Sequence, residues 1–366
     1  MNKTEEKNSG VNTDLGSSCS KTAFNWAKKT FPFRDGKSGK VVPSVDGSYA
    51  TMIDFDGKKI GISSDGIGTK IEIAERTGIY KTLGFDLMSM TIDDLACSGF
   101  IPSSVSNILD VDFLDQQIID ELFKGFYNAA EFSDVSITGG EIAELGSRIS
   151  GFGNKMHFNW CATAIGSLHP SLDSPFTGRS IEKGDSIITL YNPGFRSNGF
   201  SLLRKILTDA FGDEWHKIKR TENENWGDVL LTPSLIYSPI IIEILEQNIK
   251  LNGIVHVTGG GVVDNLGRLL KVKKLGARLN DLFHPEDYIT DIMKLGNISL
   301  EKAYRYWNMN NGLLLILPKE NISSLLELVN KDKNYRAKVA GEVTDNYQIE
   351  INAAEQNLVY NKIDVK

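Results

Sequence analysis

The densest group of chemically useful residues is the hexapeptide Asp65-Gly-Ile-Gly-Thr-Lys70, which follows an extended run of the chain. It supplies a carboxylate that suits Mg²⁺, glycine N–H groups open to phosphate oxygens, a hydroxyl and an ammonium. The residues with these roles are Asp65, Gly66, Gly68, Thr69 and Lys70. The hexapeptide is not a P-loop, and Ile71 stands where a dinucleotide fingerprint has its third glycine. A phosphate and metal site and an ordinary turn at a strand end both fit this pattern.

Three aspartates lie close together on a helix that the apolar spacing predicts over residues 86–97. They are Asp86, Asp93 and Asp94. Charged residues on one helix face usually form a solvated surface. The neighbouring hexapeptide also makes a carboxylate cluster around a cation a reasonable interpretation.

A metal-bound triphosphate needs carboxylates that converge from separate elements. Asp65, Asp94 and Glu141 all stand at or near predicted element ends, and we predict them as Mg²⁺ ligands. Gly139 and Gly140, which directly precede Glu141, are predicted to contact the nucleotide.

A glycine-rich segment also follows a strand in the second half of the chain. Residues 254–257 are predicted to be extended, and Thr258-Gly-Gly-Gly261 then leads into a helix from Val262. Free N–H groups and the helix dipole favour an anion at such a helix start. Close packing of the strand against the helix would explain the glycines equally well. The predicted substrate contacts are Thr258, Gly259, Gly260 and Gly261.

Four further side chains are candidates for contacts with a substrate. His256, just before the glycines, is either a proton-transfer group or a hydrogen-bonded core histidine. Arg196 is either a phosphate ligand or a surface residue, and it cannot act as a base because its guanidinium stays protonated. Ser197 and Asn198 are predicted to cap the following helix at its N-terminus and to contact the substrate.

These residues are predicted to lie on alternating strands and helices. Two extended runs within residues 49–64 flank Asp56-Gly57, which is a typical hairpin turn. An amphipathic helix is predicted over 116–132. Further strands are predicted over 135–137, which would end at the Thr138 to Glu141 segment, and over 159–165 and 186–190.

The composition favours a protein with two domains. The chain has 366 residues, of which 41% are hydrophobic, enough for two cores. Its net charge is -7 and it has no long basic run, so nucleic acid is not expected as a partner. The N-terminus lacks an apolar signal segment and no apolar stretch is long enough to span a membrane, so we expect a cytoplasmic protein.

Taken in order, the motifs resemble those of the aminoimidazole ribonucleotide synthetase family, also called the phosphoribosylformylglycinamidine cyclo-ligases. The resemblance covers nearly the whole chain, and although each motif is weak alone, the ordered set is specific. The motifs are Ser9 to Asp14, Asp65 to Lys70, Asp93-Asp94-Leu95, Gly139 to Glu141, Ser197 to Gly199, Leu231 to Ser234, His256 to Gly261 and Gly341 to Val343.

The resemblance implies an α+β or α/β architecture with the two-domain PurM-like fold. Residues 1–44 would form an N-terminal extension, 45–170 an ATP-binding domain that pairs through its sheet in a homodimer, and 171–366 a C-terminal α/β sandwich domain. ATP and Mg²⁺ would activate the formamide oxygen of formylglycinamidine ribonucleotide by phosphorylation. An internal nitrogen would then attack and close the imidazole ring. By the same analogy Glu141 would contact the metal or the substrate, and Lys70, Glu141 and His256 would take part in catalysis.

The chain also departs from the family pattern at several places. Arg196 replaces a histidine, Asp93 replaces an asparagine, and Asn310-Asn311-Gly312 replaces a pattern of small residues. The family's glycine-rich stretch is replaced by residues 31–47. A related small-molecule kinase or dehydratase with another acceptor, and a nucleotide-binding paralogue without turnover, therefore remain alternatives.

Overall fold

The computed structural model describes residues 13–43 and 48–361. Residues 9–12 of the first family-like motif lie outside this part of the chain. The protein has two mixed sheets of six and seven strands, each with its own helices. This architecture agrees with the expected mixed α and β class.

The first sheet is built from residues 40–168 and has the strand order β1-β2-β3-β6-β4-β5. Its neighbouring strands are antiparallel except for the parallel pair β4 and β5. In chain order the elements of this half are α1 (Thr13–Lys28), β1 (Lys40–Val42), β2 (Thr51–Phe55), β3 (Lys58–Gly66), α2 (Ile71–Thr77), α3 (Leu83–Cys97), β4 (Phe100–Val111), α4 (Gln116–Ser133), β5 (Ser136–Glu144) and β6 (Phe158–Leu168).

The predicted hairpin is confirmed by β2 and β3, which pair antiparallel around Asp56-Gly57. Both turn residues have positive φ, 55° at Asp56 and 94° at Gly57, as a tight hairpin with right-handed twist requires. The hairpin delivers β3 to the sheet with Asp65 and Gly66 at its last positions. The strand therefore places the start of the hexapeptide at one end of the sheet.

Among the residues that the structure describes, helices cover one face of the first sheet. In β6, Trp160, Ala162 and Ala164 are buried beneath α3 and α4, whereas Ile165 is 43% exposed on the opposite face. This alternation follows from the two-residue period of a strand. Helix α3 is buried along nearly its whole length because the first sheet lies on one side of it and the second domain on the other.

The second sheet has the order β13-β12-β9-β11-β7-β10-β8 and is also mainly antiparallel. Its central strands β7 and β10 are almost entirely buried, as their apolar sequences require. In chain order its elements are β7 (Ser186–Tyr191), α5 (Phe200–Phe211), α6 (Trp226–Leu230), α7 (Ser238–Glu246), β8 (Gly253–His256), α8 (Gly261–Leu270), β9 (Gly276–Leu279), α9 (Asp287–Leu295), α10 (Leu300–Tyr306), β10 (Asn311–Leu317), α11 (Ile322–Lys331), β11 (Ala337–Thr344), β12 (Ile349–Ala353) and β13 (Gln356–Tyr360).

Three local predictions were wrong. The segment Thr138 to Glu141 does not end a strand but lies inside β5, because the strand continues in register beside β4. Neither Ser197 nor Asn198 caps α5; its N-cap is Gly199, which has φ 81° and makes no side-chain cap. Strand β1, expected in a separate extension, pairs with β2 in the first sheet.

Within the part of the chain that the structure describes, no helix has the length and apolarity that a membrane crossing requires.

Candidate functional site

Helix α3 carries the three predicted aspartates to the boundary between the two domains. Asp86 forms a buried ion pair with Lys70 and also accepts hydrogen bonds from the Ser234 backbone N–H, at 3.0 Å, and its hydroxyl, at 2.5 Å. Lys70 Nζ donates to the Thr232 carbonyl at 2.6 Å. The Leu231 to Ser234 segment is therefore fastened to the first domain.

Asp93, two turns further along α3, holds the start of α7. Its Oδ1 accepts from the backbone N–H groups of Tyr237, at 2.9 Å, and Ser238, at 2.8 Å. A carboxylate at a helix N-terminus satisfies free N–H groups and complements the helix dipole. Asp93 is completely buried. It therefore serves the domain interface and not a solvated helix face.

Asp94 is the aspartate of α3 that remains accessible, with a side chain that is 18% exposed. Its Oδ1 lies 2.8 Å from His256 Nδ1, and Ser63 Oγ on β3 donates to its Oδ2 at 3.4 Å. Burial raises its pKa to about 7, although the nearby Arg268 opposes that rise. A cation bound next to Asp94 would therefore stabilise its ionised form.

Asp65 lies near Asp94, on the same side of the sheet as Ser63. Its Oδ1 accepts from the Gly66 N–H at 2.7 Å. Burial raises the pKa of Asp65 to about 6, and repulsion from Asp94 adds to the shift. The predicted pair Asp65 and Asp94 is thus close enough for electrostatic interaction across β3 and α3.

His256 at the end of β8 is fully buried, as expected of a hydrogen-bonded core histidine. Its Nε2 lies 2.6 Å from Arg196 Nη2, and its Nδ1 faces Asp94. Burial lowers its pKa to about 3, and the Arg196 guanidinium contributes to this shift. Both ring nitrogens have a hydrogen-bond partner.

Arg196 is not on the surface, as one interpretation of the sequence had it, because its side chain is only 1% exposed. Its Nη1 donates to the Leu235 carbonyl at 3.0 Å, and its Nη2 lies 3.3 Å from Asp93 Oδ2. The prediction that Arg196 binds substrate is therefore not supported by its position. Its contacts lie within the domain interface.

Three loops from the two domains meet above this buried cluster. Thr69 Oγ1, in the hexapeptide, lies 3.3 Å from Ser201 Oγ in the first turn of α5. A Cβ added at Gly259 would lie 3.2 Å from Asn198 Oδ1, so the loop before α5 adjoins the loop before α8. Both helices begin at a glycine without a side-chain cap, Gly199 and Gly260. Their first N–H groups are therefore not satisfied by a cap side chain.

Glu141 is not brought together with the other predicted metal ligands. Strand β5 lies three strand positions from β3 in the sheet order, roughly 14 Å at the usual spacing. The register aligns Glu141 with Ile108, Cys161 and Gly66, on the open face, whereas Asp65 is aligned with the buried Ala162 and Asn107. In the described residues, no three His, Cys, Asp or Glu side chains are grouped closely enough to hold a metal ion.

Gly139 and Gly140 directly precede Glu141 on β5, the edge strand of the first sheet. Asn107 Nδ2 donates to the Gly139 carbonyl at 3.1 Å, and a Cβ at Gly140 would lie 2.5 Å from the Asn107 carbonyl oxygen. The close approach of Asn107 explains the glycine at position 140. Within one chain these two glycines do not adjoin the hexapeptide.

Two residues of this region were not identified from the sequence. Arg268 on α8 lies over the Tyr49 ring at 4.8 Å, and Tyr49 Oη accepts from the His256 N–H at 3.2 Å. The Arg268 charge also lowers the pKa of Asp94. The one available signal was the position of Arg268, seven residues after Gly261 and hence on the same side of the helix.

Comparison with known proteins matches both halves of the chain to one family. The family model described as AIR synthase related protein, N-terminal domain, matches residues 47–167, and that of the C-terminal domain matches residues 182–353. A phosphoribosylformylglycinamidine cyclo-ligase of Thermococcus kodakarensis is 32% identical over 348 residues, which cover 93% of this chain and 98% of the relative.

Two solved structures share the fold at low identity. Thiamine monophosphate kinase from Aquifex aeolicus has a TM-score of 0.59 at 15% identity and covers 92% of this chain and 97% of its own. The hydrogenase maturation protein HypE in complex with ATP has a TM-score of 0.58 at 15% identity, with coverage of 82% and 84%.

Proposed function

The chain belongs to the AIR synthase related family, and on this basis we propose that it is a phosphoribosylformylglycinamidine cyclo-ligase of purine biosynthesis. The proposed reaction converts formylglycinamidine ribonucleotide and ATP into aminoimidazole ribonucleotide, ADP and phosphate. ATP phosphorylates the formamide oxygen, an internal nitrogen attacks the activated carbon, and phosphate leaves as the ring closes. The identity along nearly the whole length of the Thermococcus relative carries the proposal.

The arrangement at the domain boundary suits a reaction of this kind. Phosphoryl transfer depends on positioning and charge neutralisation more than on a protein nucleophile. The hexapeptide loop, the Ser197 to Ser201 segment and the Thr258 to Gly261 segment meet at one place, so one ligand can contact both domains. HypE, which shares the fold, has been solved in complex with ATP, and this supports nucleotide binding by a protein of this fold.

Asp65 and Asp94 fit Mg²⁺ that is held together with phosphates. Mg²⁺ usually takes one or two carboxylates and completes its shell with phosphate oxygens and water. Burial and mutual repulsion raise the pKa of Asp65 to about 6, so a cation shared by the two carboxylates would relieve that repulsion. We therefore propose that one chain supplies two ligands to Mg²⁺, Asp65 and Asp94. Glu141 of the same chain is not proposed as a ligand.

The backbone of the glycine segments is the proposed contact for the phosphates. The N-terminus of α8 has Gly259 exposed and Gly260 as its N-cap, and the N-terminus of α5 has Gly199. Free N–H groups and the helix dipole favour anions at the N-termini of both helices. Thr69 lies exposed beside α5 and is a further proposed contact. Lys70 is not proposed as a phosphate ligand, because its ammonium is buried against Asp86.

We propose a homodimer that pairs through the open face of the first sheet. Ile108 is 48% exposed and Ile165 is 43% exposed on this face, among small polar side chains. Removing apolar surface from water contributes roughly 25 cal/mol per Å² in favour of association, before the entropic and desolvation costs of binding are subtracted. Glu141 and Gly139 lie at its edge, where a second copy would bring them near its own residues.

The activity is tested with purified protein, formylglycinamidine ribonucleotide, ATP and Mg²⁺. We expect one ADP for each aminoimidazole ribonucleotide formed, and we expect the gene to complement a purine auxotroph that lacks this step. Aminoimidazole formation without ATP consumption would contradict the phosphorylation step. ATP turnover that occurs only with another acceptor would instead identify a kinase or dehydratase of the same fold.

A further inference from the structure

The contact between Arg196 and His256 determines where the histidine carries its proton. We propose that Arg196 is a positioning residue: anchored by Asp93, it holds His256 in the tautomer protonated on Nδ1, which donates to Asp94. The buried side chains of Asp93, Arg196 and His256 thereby orient the accessible carboxylate of Asp94.

The chemistry of the guanidinium fixes the direction of each hydrogen bond. An arginine side chain has five N–H donors and no acceptor. Because Arg196 Nη2 lies 2.6 Å from His256 Nε2, that nitrogen must accept. The single proton of the neutral ring is then on Nδ1, which lies 2.8 Å from Asp94 Oδ1. The other tautomer would place two N–H groups against each other.

The surroundings of Arg196 leave it little freedom to move. Its backbone has φ 59°, its Nη1 donates to the Leu235 carbonyl at 3.0 Å, and its guanidinium lies over the Tyr237 ring at 5.1 Å. Asp93 Oδ2, at 3.3 Å, supplies the opposite charge. Asp93 is itself held by α7, so the anchor of Arg196 belongs to both domains.

Asp93 and Arg196 form a buried ion pair, with the Asp93 side chain 0% and the Arg196 side chain 1% exposed. Removing the charge of either residue alone leaves the other charge buried without its partner, whereas removing both charges does not. The two residues therefore act as one unit that keeps His256 and Asp94 in place.

The tautomer is measured by ¹⁵N NMR of histidine-labelled protein, which contains five histidines. His256→Gln assigns the His256 signals. We expect protonated Nδ1 and unprotonated Nε2 in the wild type, and loss of this preference in Arg196→Gln. Arg278→Gln, at a partly exposed arginine of β9, is the control and should leave the His256 signals unchanged. Protonated Nε2 in the wild type, or unchanged signals in Arg196→Gln, would overturn the proposal.

A second measurement remains informative if Arg196→Gln does not fold. Asp93→Asn and Arg196→His are compared singly and together by urea unfolding. We expect the double variant to be more stable than the less stable single variant, because it contains no unpaired buried charge. Strict additivity of the two changes would refute the claim that the residues act as one unit.

The consequence for nucleotide binding rests on the proposed function. Loss of the hydrogen bond that His256 Nδ1–H donates to Asp94 should weaken Mg²⁺-dependent ATP binding by roughly 10-fold, as for other residues that orient a metal ligand. A tautomer change without any loss of ATP affinity would leave Arg196 as the residue that fixes His256 and would count against Asp94 as a ligand. Failure of the tautomer proposal is therefore distinguishable from failure of the assignment of Asp94 as a Mg²⁺ ligand.

Discussion

Lys70 Nζ lies 2.8 Å from each carboxylate oxygen of Asp86, and both side chains are completely buried. Lys70 comes from the end of the hexapeptide, and Asp86 from the first turns of α3. Through Thr232 and Ser234 the same pair binds the second domain. The ammonium that the sequence suggested for a phosphate therefore fastens the end of the hexapeptide, whose first residue is Asp65, to α3 and to the second domain.

Removing one member of this pair should strongly destabilise the protein. We expect Asp86→Asn or Lys70→Met to lower the free energy of unfolding by about 3–5 kcal/mol, because each leaves a buried charge without its partner. Urea unfolding measures the change. Lys205→Met breaks an exposed pair with Asp209 and should cost less than about 1 kcal/mol. Equal losses in Lys70→Met and Lys205→Met would contradict the structural role of the buried pair.

Asp65 and Asp94 should be needed for Mg²⁺-dependent binding of ATP. We expect Asp65→Asn and Asp94→Asn to lower the affinity at least about 10-fold in the presence of Mg²⁺, since each removes a charged ligand. Titration calorimetry with and without Mg²⁺ provides the measurement, and circular dichroism checks the fold. Asp209→Asn, at an exposed position on α5, is the control. Unchanged affinity in both site variants would refute the ligand assignment.

The elements around the site were predictable because their signals are local. Hydrophobic periodicity located α3 and α4, and Asp56-Gly57 located the hairpin before β3. The glycines at 259–261 correctly marked a strand followed by a helix. The pairing of Asp65 with Asp94 was also anticipated, since both residues stand at element ends.

The errors concern contacts that form only in the folded chain. Glu141 has the residue type and the sequence context of a ligand, but the strand order separates it from Asp65. Burial of Lys70 and Arg196 could not be read from local pattern, because such residues usually lie on the surface unless they are paired. Their partners on α3 are distant in sequence, so only the tertiary structure shows the ion pairs.

Two glycines of the same segment should respond differently to alanine. At Gly261 the φ is 64° and a Cβ would lie 2.3 Å from the Tyr304 carbonyl oxygen, so Gly261→Ala should destabilise the protein by about 1–3 kcal/mol. At Gly259 the nearest atom is Asn198 Oδ1 at 3.2 Å, and the backbone carries no such strain. Gly259→Ala should keep its thermal stability but bind ATP more weakly, because the methyl group occupies the proposed phosphate site. Thermal unfolding and ATP titration of both variants separate the two effects.

The open face of the first sheet should control the oligomeric state. Ile165→Lys places a charge in the middle of the proposed interface, where a partner would bury it at a cost of several kcal/mol, so we expect a monomer. Size-exclusion chromatography with light scattering gives the mass of each species. Ile79→Lys is a matched control, because Ile79 is 44% exposed and Ile165 is 43% exposed, but Ile79 lies in the loop after α2. A monomeric wild type, or dimers of equal stability in both variants, would rule out pairing through this face. A monomeric Ile165→Lys variant that also loses ligase activity would indicate that residues of the second copy, among them Glu141, complete the site.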